Sequence, residues 1–285
     1  MQLLISGIAL GCIYALIALG FVLIYKATET VNFAQGELMM LGAFGALVLM
    51  KMADWPFWAA APAAVVGMMA LGVGIERVVI RPILGQPQFT VVMLTIGLGY
   101  LCRGLITMVP GIGSDTNSLD VPYKGQVINL AGAVISLEQV MVILATAALC
   151  VGLYAMFRFT KVGIAMQASS QNQLAAYYMG IPVRRLNGLV WGLSAGVAAL
   201  AGLLLAPIMF VHVNMGFIGL KAFPAAVVGG FGSLPGAIVG GLTIGLVEAL
   251  SEDVLEVLAC VNALGVAPAV DGHGEAVAPR VGDPA

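Results

Sequence analysis

The sequence predicts an all-α fold: a polytopic transmembrane helical bundle with a broken helix near the C-terminal end. Three observations carry this. Of 285 residues, 61% are hydrophobic and only 9% are charged. Soluble domains average about 25% charge, so this chain lacks the polar side chains to cover a water-facing surface. The mean hydropathy is +1.04, and the apolar residues fall in runs that approach the roughly 20 needed to cross a bilayer core of about 30 Å. Thirty-seven glycines fit the same class, because membrane helices pack through small residues. A cytosolic enzyme, a nucleic-acid binder and a disordered chain are excluded.

Seven segments read as spans: Leu3–Tyr25, Gly36–Met52, Phe57–Ile75, Phe89–Val109, Leu137–Phe157, Leu186–Phe210 and Ala222–Leu250. No basic region precedes the first, so it reads as a span and not as a cleavable signal. The second is short. The seventh is long and interrupted by Gly229-Gly230 and Pro235. Such a break frees backbone groups, so it belongs inside protein or beside a cavity. Arg77 and Arg81 follow span three, and Arg158, Lys161, Arg184 and Arg185 follow span five. The positive-inside rule places both loops in the cytoplasm. The N-terminus and the turn-rich loop 110–136 are then outside, and an odd span count puts the C-terminal tail inside.

Charge divides the chain in two. Residues 1–250 carry eleven Lys/Arg and eight Asp/Glu; residues 251–285 carry Arg280 alone against six acids. The first part reads as the membrane domain, with a cytoplasmic loop at about 158–187. The second reads as an acidic tail that does not span. Cys12, Cys102, Cys150 and Cys260 form no C-x-x-C pair and read as small packing residues. No metal site is expected. Small-xxx-small spacings recur at Gly7/Gly11, Gly188/Gly192/Gly196, Gly232/Gly236/Gly240 and Gly241/Gly245. They fit close helix packing within the chain or against a second membrane subunit.

Three motifs carry function. In Asn32-Phe33-Ala34-Gln35-Gly36-Glu37-Leu38-Met39-Met40-Leu41-Gly42-Ala43, polar Asn32, Gln35 and Glu37 sit at the mouth of span two. Polar groups at membrane depth mark a pathway, although Asn32 as N-cap and Glu37 at the positive helix end give a structural reading. The loop from Lys161 to Pro182 has helical character over Ile164–Met179, with Gly180 and Pro182 as a stop. Its polar face lacks the basic residues that lipid binding prefers, which favours a protein partner. The run Val228-Gly229-Gly230-Phe231-Gly232-Ser233-Leu234-Pro235-Gly236-Ala237 has no following G-K-[ST] and is no phosphate cradle; it reads as a broken helix pair.

Together and in this order, the three motifs resemble the permease subunit of branched-chain amino acid ABC importers, the LivH type, over roughly residues 1–250. The resemblance implies a non-catalytic translocation pathway in a bacterial inner membrane, with Asn32, Gln35, Glu37, Gly229 and Gly230 along it. It implies an ATPase-coupling loop carried by Gly163, Ala168, Ala175, Ala176 and Gly180. Ala175, Ala176 and Gly180 match the coupling pattern E-A-A-x-x-x-G, while Leu174 replaces its Glu. The implied partners are a second permease subunit, two cytoplasmic ATPase subunits, a periplasmic substrate-binding protein and the lipid bilayer. No cofactor is expected in this chain. After Glu248 the sequence departs from the family pattern of a further apolar span. Close relatives carry urea or short amides. A self-contained secondary transporter would need more intramembrane ionisable groups than Arg103 and Glu248. A membrane enzyme would need a catalytic motif that the sequence lacks.

Overall fold

A computed structural model describes residues 2–113, 115–130, 133–263, 269–270 and 276–277, with side chains placed over 3–113, 115–128 and 135–251. Among the described residues, six helices are long and apolar enough to cross a membrane. They correspond to α1 (Gln2–Thr28), α3 (Phe57–Ile75) with the helical turns that continue it to Ile83, α4 (Gln88–Thr107), α5 (Leu137–Phe159), α8 (Val183–Leu205) and α10 (Leu234–Ala263). α2 (Gln35–Met52) is not among the six. It carries Gln35, Glu37 and Lys51, and protein rather than lipid surrounds most of it.

The seventh expected span is corrected. Ala222–Leu250 is not one interrupted helix but a hairpin of α9 (Gly216–Gly229) and α10, joined by the turn 230–233. Gly230 closes α9 with φ +82°, and its amide donates to Val227 O at 3.1 Å. Pro235 sits in the first turn of α10, where a missing N–H costs nothing. At 14 residues, α9 is about 21 Å long, short of the bilayer core.

This hairpin also corrects the side expected for the tail. α10 runs antiparallel to α1: a Cβ on Gly7 would sit 3.0 Å from Ala249 Cβ, and one on Gly11 would sit 2.9 Å from Leu242 Cα. Ser251 therefore returns to the end where α1 begins, away from the cytoplasmic loops. The helix continues past the expected boundary at 251 to Ala263. Most of the expected tail lies outside the described residues.

α1 is the axis of the bundle, with 89% of its apolar window buried. Its fully buried face includes Leu16, Ile17, Phe21 and Leu23. Small residues set its distance from α10, since Gly241 and Gly245 rest on the backbone of Ala15 and Gly11. α8 is the second buried helix, packed on α2 and α3 through Gly192, Gly196 and Gly202. Thus most of the small-residue spacings serve packing within the chain. α4 and α5 are only 22% buried each and face outward.

Two local differences have simple causes. Within the outer loop, Val127–Leu130 pairs antiparallel with Ala133–Ser136, favoured by the β-branched Val127, Ile128 and Ile135. The cytoplasmic loop holds two helices, α6 (Lys161–Gln171) and α7 (Gln173–Tyr178), instead of one. Asn172 divides them in extended backbone, and its Oδ1 caps α7 by accepting from Ala175 N at 2.9 Å.

The α1–α10 contact gives a stability prediction. Gly245→Val places a branched side chain against the Gly11 backbone and should lower the detergent melting temperature, with a cost of about 1–3 kcal/mol or more. Gly67→Ala, which meets nothing within 4 Å, should leave it unchanged.

Candidate functional site

The chain leaves α1 at Thr28 and does not begin the next helix at that level. Residues 29–34 run back into the bundle before α2 starts. Gln35 then lies over Gly20, where a Cβ would coincide with the Gln35 amide. Gly20 is eight residues before the end of α1, about 12 Å in from the cytoplasmic end. Non-helical backbone at that depth must be buried and hydrogen-bonded. Asn32, Gln35, Thr95 and Ser194 are all fully buried.

The hydrogen bonds account for this placement. Phe33 N donates to Thr95 Oγ1 at 3.2 Å, and that hydroxyl donates to Val92 O at 2.8 Å. Asn32 Oδ1 accepts from Ala34 N at 3.1 Å, and Asn32 Nδ2 reaches Gln35 Oε1 at 3.4 Å. Gln35 Nε2 donates to Ser194 O at 3.4 Å. Ser194 Oγ lies 2.9 Å from Gly20 O and 3.1 Å from Gln35 Oε1. Asn32 is therefore not the N-cap of α2. Ala34 holds that position without a side-chain cap, and Asn32 shapes the turn before it. Asn32 and Gln35 form one network joining α1, α2 and α8.

Glu37, two residues after Gln35, faces outward from this network. Its carboxylate pairs with Arg103 of α4, and the two side chains are 13% and 16% exposed. The Arg103 guanidinium lies 4.2 Å from the centre of the Phe217 ring. Glu37 also packs against Gly216 at the start of α9, where a Cβ would meet its carboxylate at 2.5 Å. The N-terminal end of a helix favours an anion there. Phe33, Tyr100 and Leu220 complete a cleft around the pair. Arg103 stands 66 residues from Glu37 in the sequence, which hides the pairing.

Gly229 and Gly230 do not join this group. They form the tip of the α9–α10 hairpin, beside Phe231, whose ring lies 4.8 Å from Tyr25 and 5.8 Å from Phe223. Phe223 in turn touches Phe33 at 5.3 Å and Phe21 at 5.7 Å. An aromatic cluster thus links the hairpin to the segment that leads into α2.

The cytoplasmic-loop residues divide by role. Gly163 and Ala176 are buried, and a Cβ on Gly163 would meet Phe157 Cα at 2.5 Å. Ala168 and Ala175 are exposed. Gly180 has φ +81°. Its amide donates to Tyr177 O, and Ile181 N donates to Ala176 O, both at 3.0 Å. This is a Schellman ending, which needs a left-handed residue at the Gly180 position. Around it Leu174, Tyr177, Tyr178 and Met179 are exposed.

One buried ion pair escaped sequence reading, because Glu76 did not stand out beside Arg81. Glu76 is fully buried and accepts from Arg81 Nε at 3.2 Å and from Nη2 at 2.8 Å. Arg81 Nη2 also donates to Arg184 O at 3.2 Å. The loop cation that marked topology therefore clamps α3 to the start of α8. Among the described residues no group of three or more His, Cys, Asp or Glu is placed to hold a metal.

A helical bundle with a polar, non-helical element buried among its apolar helices defines a multi-pass membrane protein. The chain belongs to the family described as branched-chain amino acid transport system / permease component, whose model matches residues 3–269. It is 32% identical over 267 residues to the high-affinity branched-chain amino acid transport system permease protein LivH of Salmonella typhimurium (strain LT2), covering 88% of this chain and 86% of that protein. BraD of Pseudomonas aeruginosa is 31% identical, over 89% of this chain and 87% of its own length. The probable branched-chain amino acid transport permease protein LivH of Methanocaldococcus jannaschii is 30% identical, over 87% and 80%. The family match extends beyond the departure expected near 250.

The ion pair gives the prediction here. Arg103→Leu leaves Glu37 buried without its partner and should destabilise the protein by about 3–5 kcal/mol. The Glu37→Met/Arg103→Leu double variant should melt well above the single one in the same detergent.

Proposed function

We propose that this chain is a membrane subunit of an ABC importer that passes branched-chain amino acids across the bacterial inner membrane. A periplasmic binding protein delivers substrate to its outer face, a second permease subunit completes the pathway, and two cytoplasmic ATPases supply energy. The chain itself is non-catalytic and needs no cofactor. The observation that carries this reading is the family match over residues 3–269, with relatives named for branched-chain amino acids rather than urea or amides.

The geometry supports a division of labour. The elements around Asn32, Gln35, Glu37 and Arg103 line the path at membrane depth. Short helix α9 starts against Glu37 and ends at Gly229-Gly230, so movement of the hairpin acts on the path at one end and on the aromatic cluster at the other. α6 and α7 form the docking element for an ATPase. Leu174, Tyr177, Tyr178 and Met179 present an apolar surface suited to a partner's groove. Gly163 anchors this element to α5, and Gly180 fixes the angle at which α7 leaves for α8.

Reconstituting the full complex in proteoliposomes tests the reading: leucine uptake should require ATP and loaded binding protein. Uptake of leucine without ATP would refute it. A variant adds resolution. Gly180 has no neighbour within 4 Å of its Cβ position, so Gly180→Val acts through left-handed strain of about 1–2 kcal/mol. It should insert normally and lower coupled uptake about tenfold, while Gly180→Asn, which tolerates that backbone, should retain most of it.

A further inference from the structure

Lys26 lies in the last turn of α1, half-buried, with no hydrogen bond or ion pair among the described residues. A cavity of about 580 Å³ opens beside it, between α1, α5, α6 and the start of α10. Its chemistry changes with depth. Leu19, Cys150, Leu153 and Ile238 line the inner part, and Lys26 and Arg158 stand at the mouth. Among the described residues no acid lines this cavity. Glu29 borders an adjoining pocket and makes no ion pair with Lys26 among the described residues.

The mouth carries more positive potential than two side chains supply. Gly232, Ser233 and Leu234 line it and form the N-terminal end of α10, the positive pole of a 30-residue helix. Ser233 Oγ accepts from Gly236 N at 3.1 Å, which fixes that end in place. Arg158 is held over the cavity edge by Tyr154, whose hydroxyl accepts from Nη1 at 2.5 Å. Tyr154 and Phe159 are exposed aromatics at the level where such rings meet the membrane–water interface. Leu19 lies seven residues from Lys26, so the apolar part extends about 10 Å into the bilayer.

We propose that this groove binds an anionic phospholipid of the cytoplasmic leaflet, its phosphate between Lys26 and Arg158 and an acyl chain along Leu19, Leu153 and Ile238. Three features select this occupant. The groove has cations at its mouth and an apolar interior. It opens on the side where Arg77, Arg81, Lys161, Arg184 and Arg185 place the cytoplasm, the leaflet that carries anionic lipid. It also runs along the cytoplasmic part of the membrane-facing helix α5, from Cys150 to Arg158. Because Ile164 and Gln167 of α6 form part of the wall, a bound lipid braces the cytoplasmic helices against α1 and α10.

Native mass spectrometry of the full-length chain, released from micelles holding equal phosphatidylglycerol and phosphatidylcholine, tests this. The wild type should retain one phosphatidylglycerol in preference, and Lys26→Gln/Arg158→Gln should cut that preference about tenfold. Arg184→Gln/Arg185→Gln, with the same charge change on the same side, should keep it. Leu153→Trp, which fills the apolar part without altering charge, should reduce retention of lipid. Equal retention of both lipids by the wild type would overturn the proposal. So would an unchanged preference in the Lys26/Arg158 variant, an equal loss in the Arg184/Arg185 variant, or displacement of the lipid by inorganic phosphate. Circular dichroism of each variant separates loss of lipid from loss of fold; if the Lys26/Arg158 variant unfolds, the Leu153→Trp result decides.

Discussion

The structure depends on one constraint: a stretch of non-helical backbone lies inside the bundle, where no water can satisfy it. Residues 29–34 re-enter beside α1, and every polar group they bring must find a partner in protein. Thr95 receives one amide, Asn32 turns back on another, and Gln35 bridges to Ser194, whose hydroxyl also reaches the carbonyl of Gly20. The arrangement needs room as well as partners. Gly20 supplies it, because any side chain there would displace the Gln35 amide. The depth of α2, the crossing of α2 over α8 and the seat of α9 against Gly36 all follow from this re-entry.

Much of the fold was legible because its signals are local. Apolar runs gave five of the spans within a few residues, and basic loops gave the cytoplasmic side. Small-residue spacing on α1 and α10 anticipated their close approach. What failed was the segment 216–251, where a hairpin of two helices carries as continuous an apolar run as one broken span. Hydropathy reports burial from water and does not distinguish a turn inside protein from a helix in lipid. Only the positive φ demanded at Gly230 separates the two. That error carried into the side assigned to the tail, since one missed reversal inverts everything after it.

The site was legible in part for a related reason. Asn32, Gln35 and Glu37 stood out as polar residues in apolar surroundings. Their partners did not. Ser194 is a small residue in a helix rich in small residues, and Thr95 is one hydroxyl on an outward-facing helix. Arg103 and Glu76 are each explained only by a cation or anion brought near by the fold. Gly229 and Gly230 were chosen as an interruption of an apolar run; Gly229 packs against the Gly236 backbone and Gly230 takes a positive φ, both at the hairpin tip and not beside Glu37.

Placing polar groups in the core couples the two faces of the membrane. α1 runs from the outer contact with α10 to Lys26 beside α6, and α9 runs from Glu37 to the aromatic cluster around Phe223. A shift at either end is felt by packed side chains that have little free space. The most direct test of the central claim is second-site rescue at the re-entry. Gly20→Ala alone should lower the melting temperature sharply, since its methyl meets the Gln35 amide. Adding Gln35→Ala should recover a large part of that loss, although Gln35→Ala by itself is destabilising. Strictly additive losses would mean that Gln35 does not rest on Gly20, and would contradict the account.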